Sequence, residues 1–86
     1  MKAKEAVREI MKAHKKGVGY ISDKINQRNK DIGLEDKKIK PRNITDRLAQ
    51  DNISIEKLYE MLYHLDYKIV LVPFDKKLNE GEYEIE

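Results

Sequence analysis

Apolar residues recur along this chain in two rhythms. From residue 3 to residue 65 they return every three or four positions, whereas from residue 67 to residue 72 they run almost unbroken. The first rhythm predicts amphipathic helices. Ala3, Ala6, Val7, Ile10 and Met11 form the inward stripe of a helix from Ala3 to His14, with Lys4, Arg8 and Lys12 on a basic side beside Glu5 and Glu9. Lys15, Lys16 and Gly17 make the turn, and lysines there offset the partial negative charge of a helix C-terminus. A second helix, Val18 to about Arg28, buries Val18, Ile21 and Ile25. A third runs from Pro41 to Gln50, because proline suits the first helical position, where its missing N–H would have no partner. Ile44 and Leu48, four residues apart, share its inner face and leave Arg42, Asn43, Asp46, Arg47 and Gln50 mostly on the outer one. Ser54 caps a fourth helix whose stripe is Ile55, Leu58, Tyr59, Leu62 and Leu65, with Ile53 and Leu58 placed to close a hydrophobic staple across the cap.

The second rhythm predicts a strand over residues 67–72, β-branched and aromatic, ending at Pro73. Glu82–Glu86 alternates polar with apolar and places Tyr83 and Ile85 on one side, so it pairs with residues 67–72 as a hairpin or leaves that strand to a second copy. Residues 67–72 are apolar on both faces, and both must be covered. One small core covers one face, which predicts a homodimer joined through Tyr67, Ile69, Val70, Leu71, Val72, Tyr83 and Ile85. Residues 27–38 are polar, with only Ile32 and Leu34 apolar, and read either as a flexible connection or as an extension of helix two. The expected fold is mainly α, with four to five helices over residues 1–66, an inserted connection at 27–38, and a C-terminal β-strand or hairpin over 67–86.

Composition narrows the function. At 86 residues the chain makes one domain with a thin core, which dimerisation would extend. Without cysteine there is neither a disulfide framework nor a thiolate metal site, as suits a reducing compartment. No apolar run approaches the roughly 18 residues of a membrane span, and the amino terminus lacks a signal-peptide apolar region, so the expected location is the cytoplasm. Residues 1–47 hold 14 Lys/Arg against 7 Asp/Glu, and residues 48–86 hold 4 against 9. The net +2 therefore conceals +7 in one part and −5 in the other. That asymmetry points one surface at a polyanion, although a solvated, ion-paired surface would carry the same residues. Enzyme chemistry finds no support: His14 and His64 have no helix-spaced partner ligand, and no glycine-rich phosphate loop or nucleophile elbow is present. No catalytic residue, metal or cofactor is expected.

Two stretches resemble a known family. In VGYISDKIN, Ile21, Ser22 and Ile25 give the apolar–small–apolar pattern of the first motif helix of the phage-repressor-like helix-turn-helix regulators of the Cro and Xre type, with Asn26 at the usual turn glycine. In IKPRNITDRLAQDNISIEKLYEMLYHLDYKIVLVP, an Arg-Leu helix end, an Asn-Ile-Ser-Ile cap, a further helix and a terminal strand are similar to a subgroup of small regulators from Gram-positive bacteria and their mobile elements. The resemblance covers residues 3–26 and 39–86. Two features depart from it: residues 27–38 replace a tight turn, and Val18 stands where many members carry a phosphate-binding glutamine.

What the resemblance implies is a sequence-specific, DNA-binding transcriptional regulator, a repressor-like dimer on an operator, with helix three in the major groove. Arg42 then meets a guanine, since its planar fork matches O6 and N7 together, while Asn43 meets adenine or phosphate. Asp46 either orients Arg42 or accepts from a cytosine amine, and Arg47 pairs with Asp51 or takes a phosphate. Lys40, Thr45 and Gln50 complete the reading helix. Lys24, Arg28, Lys37 and Lys38 serve the phosphate backbone, positioning the protein without specifying sequence. Each arginine has a plainer role as half of an intrahelical ion pair. The rival reading keeps the fold and changes the partner: a protein-interaction module, antitoxin-like or a mobile-element inhibitor of a host nucleoprotein complex.

Overall fold

A computed structural model describes residues 1–86 as four helices: α1 Ala3–His14, α2 Val18–Asp31, α3 Pro41–Leu48 and α4 Ile55–Tyr63. Their inward stripes meet in one core. Val7, Ile10, Ile21, Ile25, Ile44, Leu48, Leu58, Met61, Leu62 and Leu65 form a single buried cluster, and Ser22 is the one buried polar residue, its hydroxyl donating to Gly19 O at 3.0 Å. Ser22 thus lets α2 approach its neighbours closely without leaving a buried hydroxyl unsatisfied.

α1 begins and ends where the periodicity places it. At its C-terminus Lys15 adopts the left-handed conformation (φ 54°), and the Lys15 and Lys16 amides return to the carbonyls of Lys12 and Met11. The basic side of α1 does structural work on α3. Arg8 donates to Leu48 O at 2.9 Å, satisfying a carbonyl that a helix end leaves open, and Lys2 and Lys4 hold Asp51 at 3.2 and 2.7 Å. These two lysines keep the Asp51 carboxyl below its ordinary value through hydrogen bonding and charge.

α2 is longer than its apolar stripe predicts. It continues to Asp31 and ends at Gly33, whose φ of 81° allows the Leu34 amide to reach back to Asn29 O. Asn26 is consequently not a turn residue. It lies inside α2, and its side-chain amide clamps the backbone of Ile39, donating to Ile39 O and accepting from Ile39 N, both at 2.8 Å. Asn29 donates to Lys37 O at 2.9 Å. The polar connection is therefore fixed to α2 by two asparagines spaced at i and i+3, which share a helix face.

In α4 the Ser54 hydroxyl accepts from Lys57 N at 3.3 Å, as its capping role predicts. The inward stripe is rotated from the expected one: Leu58, Met61, Leu62 and Leu65 are buried, whereas Ile55 and Tyr59 are 68% and 52% exposed. Met61, an adaptable filler for irregular gaps, takes the deep position.

The expected C-terminal strand or hairpin does not form. Neither residues 67–72 nor residues 82–86 make a β-ladder, and no backbone hydrogen bond joins residues 68–72 to any other segment. The chain leaves α4 through Asp66 (φ 63°), runs outward, reverses at a turn closed by Lys76 N to Pro73 O at 3.0 Å, and returns. Tyr67 and Tyr83 sit at the root of this excursion, ring centres 6.1 Å apart and packed on the protein's own core. The last residues pair with the first, Met1 N donating to Glu84 O and Glu86 N to Met1 O at 3.3 and 3.0 Å. The molecule measures 44 × 23 × 23 Å. No helix is long and apolar enough to cross a membrane.

Candidate nucleic-acid interface

α3 is short and firmly held. Ile44 and Leu48 are buried against the core, α2 lies along it, and the Asn26 clamp fixes the approach at Ile39. Around those anchors Arg42, Asn43, Thr45 and Asp46 of α3 are exposed, as is Gln50, which lies just beyond the end of the helix rather than in it as expected. A helix anchored by two side chains and bare elsewhere offers its outer groups in fixed positions.

Those groups differ in how free they are. Arg42 has neither an ion pair nor a hydrogen-bond partner, and the expected pair with Asp46 is absent, so its five donors remain open. Asp46 is likewise unpaired. Asn43 is partly committed, because its Oδ1 accepts from Lys40 N at 2.7 Å, which closes the first turn of α3. One of its two acceptor lone pairs is thereby taken, while its amide N–H groups stay free to donate, as a phosphate contact requires. The Thr45 hydroxyl leans back on Pro41 O at 3.4 Å.

Arg47 departs from the expectation. It does not meet Asp51, which α1 has taken, but crosses to α4 and binds Glu60 at 2.7 Å. Its side chain is only 14% exposed. The charge is neutralised within the molecule, so Arg47 ties α3 to α4 and is removed from the free reading groups. Nothing within α3 signals this, because the partner lies 13 residues away.

The remaining predicted residues fall into two groups. Lys38, Asn43, Asp46, Arg47 and Gln50 line one shallow concavity of about 300 Å³, joined by Ile39 and by Lys57 of α4, which sequence reasoning did not select. Lys37, Lys38 and Lys40 are exposed and form no ion pair. Lys24 and Arg28 stand elsewhere. The Lys24 ammonium lies 5.5 Å from the Tyr20 ring centre, and the Arg28 guanidinium lies 5.0 Å from that of Tyr63, against the end of α4. Lys24 also lines a second concavity, about 540 Å³, with Tyr20, Tyr63, His64, Asp66, Tyr67 and Lys68. These cations lie over aromatic rings, and the Lys16 ammonium also lies over Tyr20, at 4.3 Å. The spacing Tyr20–Lys24 was the available signal, since residues four apart share a helix face.

His64 ends α4 but supplies no cation to that terminus. Burial pushes its pKa below the ordinary 6.5; Glu60 opposes the shift, while Arg28 and Lys24 reinforce it. Its Nε2 is buried without a hydrogen-bond partner.

Of the residues expected at a dimer interface, Tyr67 and Tyr83 pack within their own molecule, and Ile85 lies in the segment that pairs with Met1. Ile69, Val70, Leu71 and Val72 remain exposed, Leu71 to 98%.

No family model, no curated protein and no solved structure matches this chain.

Proposed function

We propose that the protein is a double-stranded DNA-binding regulator that works as a pair of chains, presenting α3 to the major groove. The observation that carries this reading is the state of the groups around α3. Arg42 and the lysines at 37, 38 and 40 form no ion pair within the molecule, and they flank a helix held by Ile44, Leu48 and the Asn26 clamp. Free, positioned cations next to a helix that fits a groove suit a duplex: lysines hold phosphates, and an unpaired arginine reads a guanine. Asp46 and Gln50 supply the remaining base-directed groups, Asn43 a phosphate contact. No chemistry beyond binding is required.

A gel-shift or anisotropy titration against the DNA upstream of its own reading frame tests the proposal. Binding is expected to fall by orders of magnitude between about 50 and 200 mM salt, as counterions released by several phosphate contacts dictate. Affinity that is insensitive to salt, or equal for random competitor, contradicts it.

A second reading rests on a different surface. Ile55, Tyr59 and Tyr63, spaced at i, i+4 and i+8 on α4, are 68%, 52% and 45% exposed. Such a stripe on the outside of a helix fits a protein partner. A pull-down from host lysate that depends on Tyr59, with no DNA binding, would favour that module over the regulator.

A further inference from the structure

The outward excursion after α4 is the part of the molecule least satisfied by its own chain. None of the amide or carbonyl groups of residues 68–72 has a hydrogen-bond partner. Ile69, Val70, Leu71 and Val72 are 38%, 57%, 98% and 44% exposed, on both faces of the segment. The usual protections of a free strand edge, a charge or a proline within it, are missing between Ile69 and Val72.

The backbone distinguishes the two edges of this segment. In an extended strand the N–H and C=O of alternate residues point to opposite edges. The Tyr67 amide is already used, donating to Leu62 O at 2.9 Å. Pro73 has no N–H, and its carbonyl accepts from Lys76 at 3.0 Å. The odd-numbered edge is therefore spoken for at both ends, and the even-numbered edge, Lys68, Val70 and Val72, is open along its whole length.

We infer that this even edge pairs antiparallel with the same edge of a second copy, with Val70 opposite Val70 on the twofold axis. The inference rests on the two-chain reading above and specifies its junction. An exact twofold through an antiparallel pair requires a residue to face itself, and centring on Val70 brings all of 68–72 into register. Lys68 then faces Val72, so no like charges meet, and Ile69 faces Leu71 in the closer, non-hydrogen-bonded pairs. Pro73 falls at a non-hydrogen-bonded position, the one place where proline is harmless in a ladder. Lys68, Val70 and Val72 of each chain donate and accept, giving about six interchain hydrogen bonds. A second copy is the matching occupant because the open edge is self-complementary in both backbone phase and side-chain size.

The chain has no cysteine, so single substitutions report the register directly. Under mild oxidation Val70→Cys is expected to form a disulfide dimer, its Cα atoms about 5.5 Å apart. Ile69→Cys and Leu71→Cys should each stay uncrosslinked alone, their like positions lying beyond about 7 Å, and should crosslink when mixed. Val72→Pro removes a donor from a segment whose backbone makes no hydrogen bonds in the single chain. It should keep its helical circular dichroism and shift to monomer in sedimentation at tens of micromolar. A wild-type dimer that crosslinks through Leu71→Cys alone, or that survives Val72→Pro, overturns the register and leaves the two-chain reading standing. A wild-type monomer at that concentration overturns both. DNA binding is not read in either measurement.

Discussion

His64 and Arg47 carry most of what distinguishes this chain from its periodic outline. His64 is held neutral by burial, so its pKa lies lower in the folded protein than in the unfolded chain. Between those two values the unfolded state binds the extra proton, and stability rises with pH across that window. The stabilisation is complete above about pH 6.5 and is lost as the pH falls towards the depressed folded value. Melting temperature should therefore drop between pH 7.5 and pH 5, and His64→Leu should flatten that dependence. An unchanged slope in the variant would locate the titration elsewhere; Asp51, held below 3.8, acts only at lower pH. Arg47 makes the complementary point about charge: once bridged to Glu60, it contributes to the packing of α3 on α4 instead of to an external field.

At the scale of elements, the connection between α2 and α3 decides whether α3 is a positioned helix or a tethered one. Asn26 supplies two hydrogen bonds to the Ile39 backbone, in a partly buried setting where an unmade bond costs about 1–3 kcal/mol. Asn26→Ala is expected to lower unfolding free energy by about that amount in urea. The helical signal of the native state should be kept, and hydrogen exchange near Ile39 should accelerate. A change below about 0.5 kcal/mol would mean that the clamp does not hold the approach to α3. This element also marks the limit of what the sequence reveals. Boundaries set by local signals were legible: α1 from its stripe, α3 from Pro41, α4 from the Ser54 cap. The core residues of α1, α2 and α3 followed from the same periodicity. Features set by distant partners were not. Asn26 reads as a turn residue until Ile39 is beside it, and Arg47 reads as Asp51's partner until α1 claims that carboxylate. Tyr59 fits the α4 stripe by spacing but loses its place to Met61, which reaches further into the core. The strand at 67–72 has the composition of a strand and lacks a neighbour, which a single chain's periodicity cannot supply. At the candidate interface, exposure of Arg42 and Asp46 followed from helix phase, and Lys24 meets Tyr20 within α2 itself, whereas the diversion of Arg28 onto the Tyr63 face required the packing of α4 against α2.

At the scale of the whole molecule, three surfaces remain uncovered once the core is closed: the cationic approach to α3, the open edge at 68–72 and the outer stripe of α4. On the proposed function the first two would work together, the edge bringing two copies into contact and each copy offering one α3 to a duplex. Two reading helices related by a twofold address half-sites about 34 Å apart, one helical turn of DNA. Selection of bound sequences from random duplex DNA, with Arg42→Ala run in parallel, tests this most directly. The account predicts an enriched inverted repeat with that spacing, and a variant that loses preference at one base position per half-site at a cost of about 1–3 kcal/mol. Failure to enrich any sequence at about 50 mM salt, or an Arg42→Ala profile identical to the wild type, would contradict it.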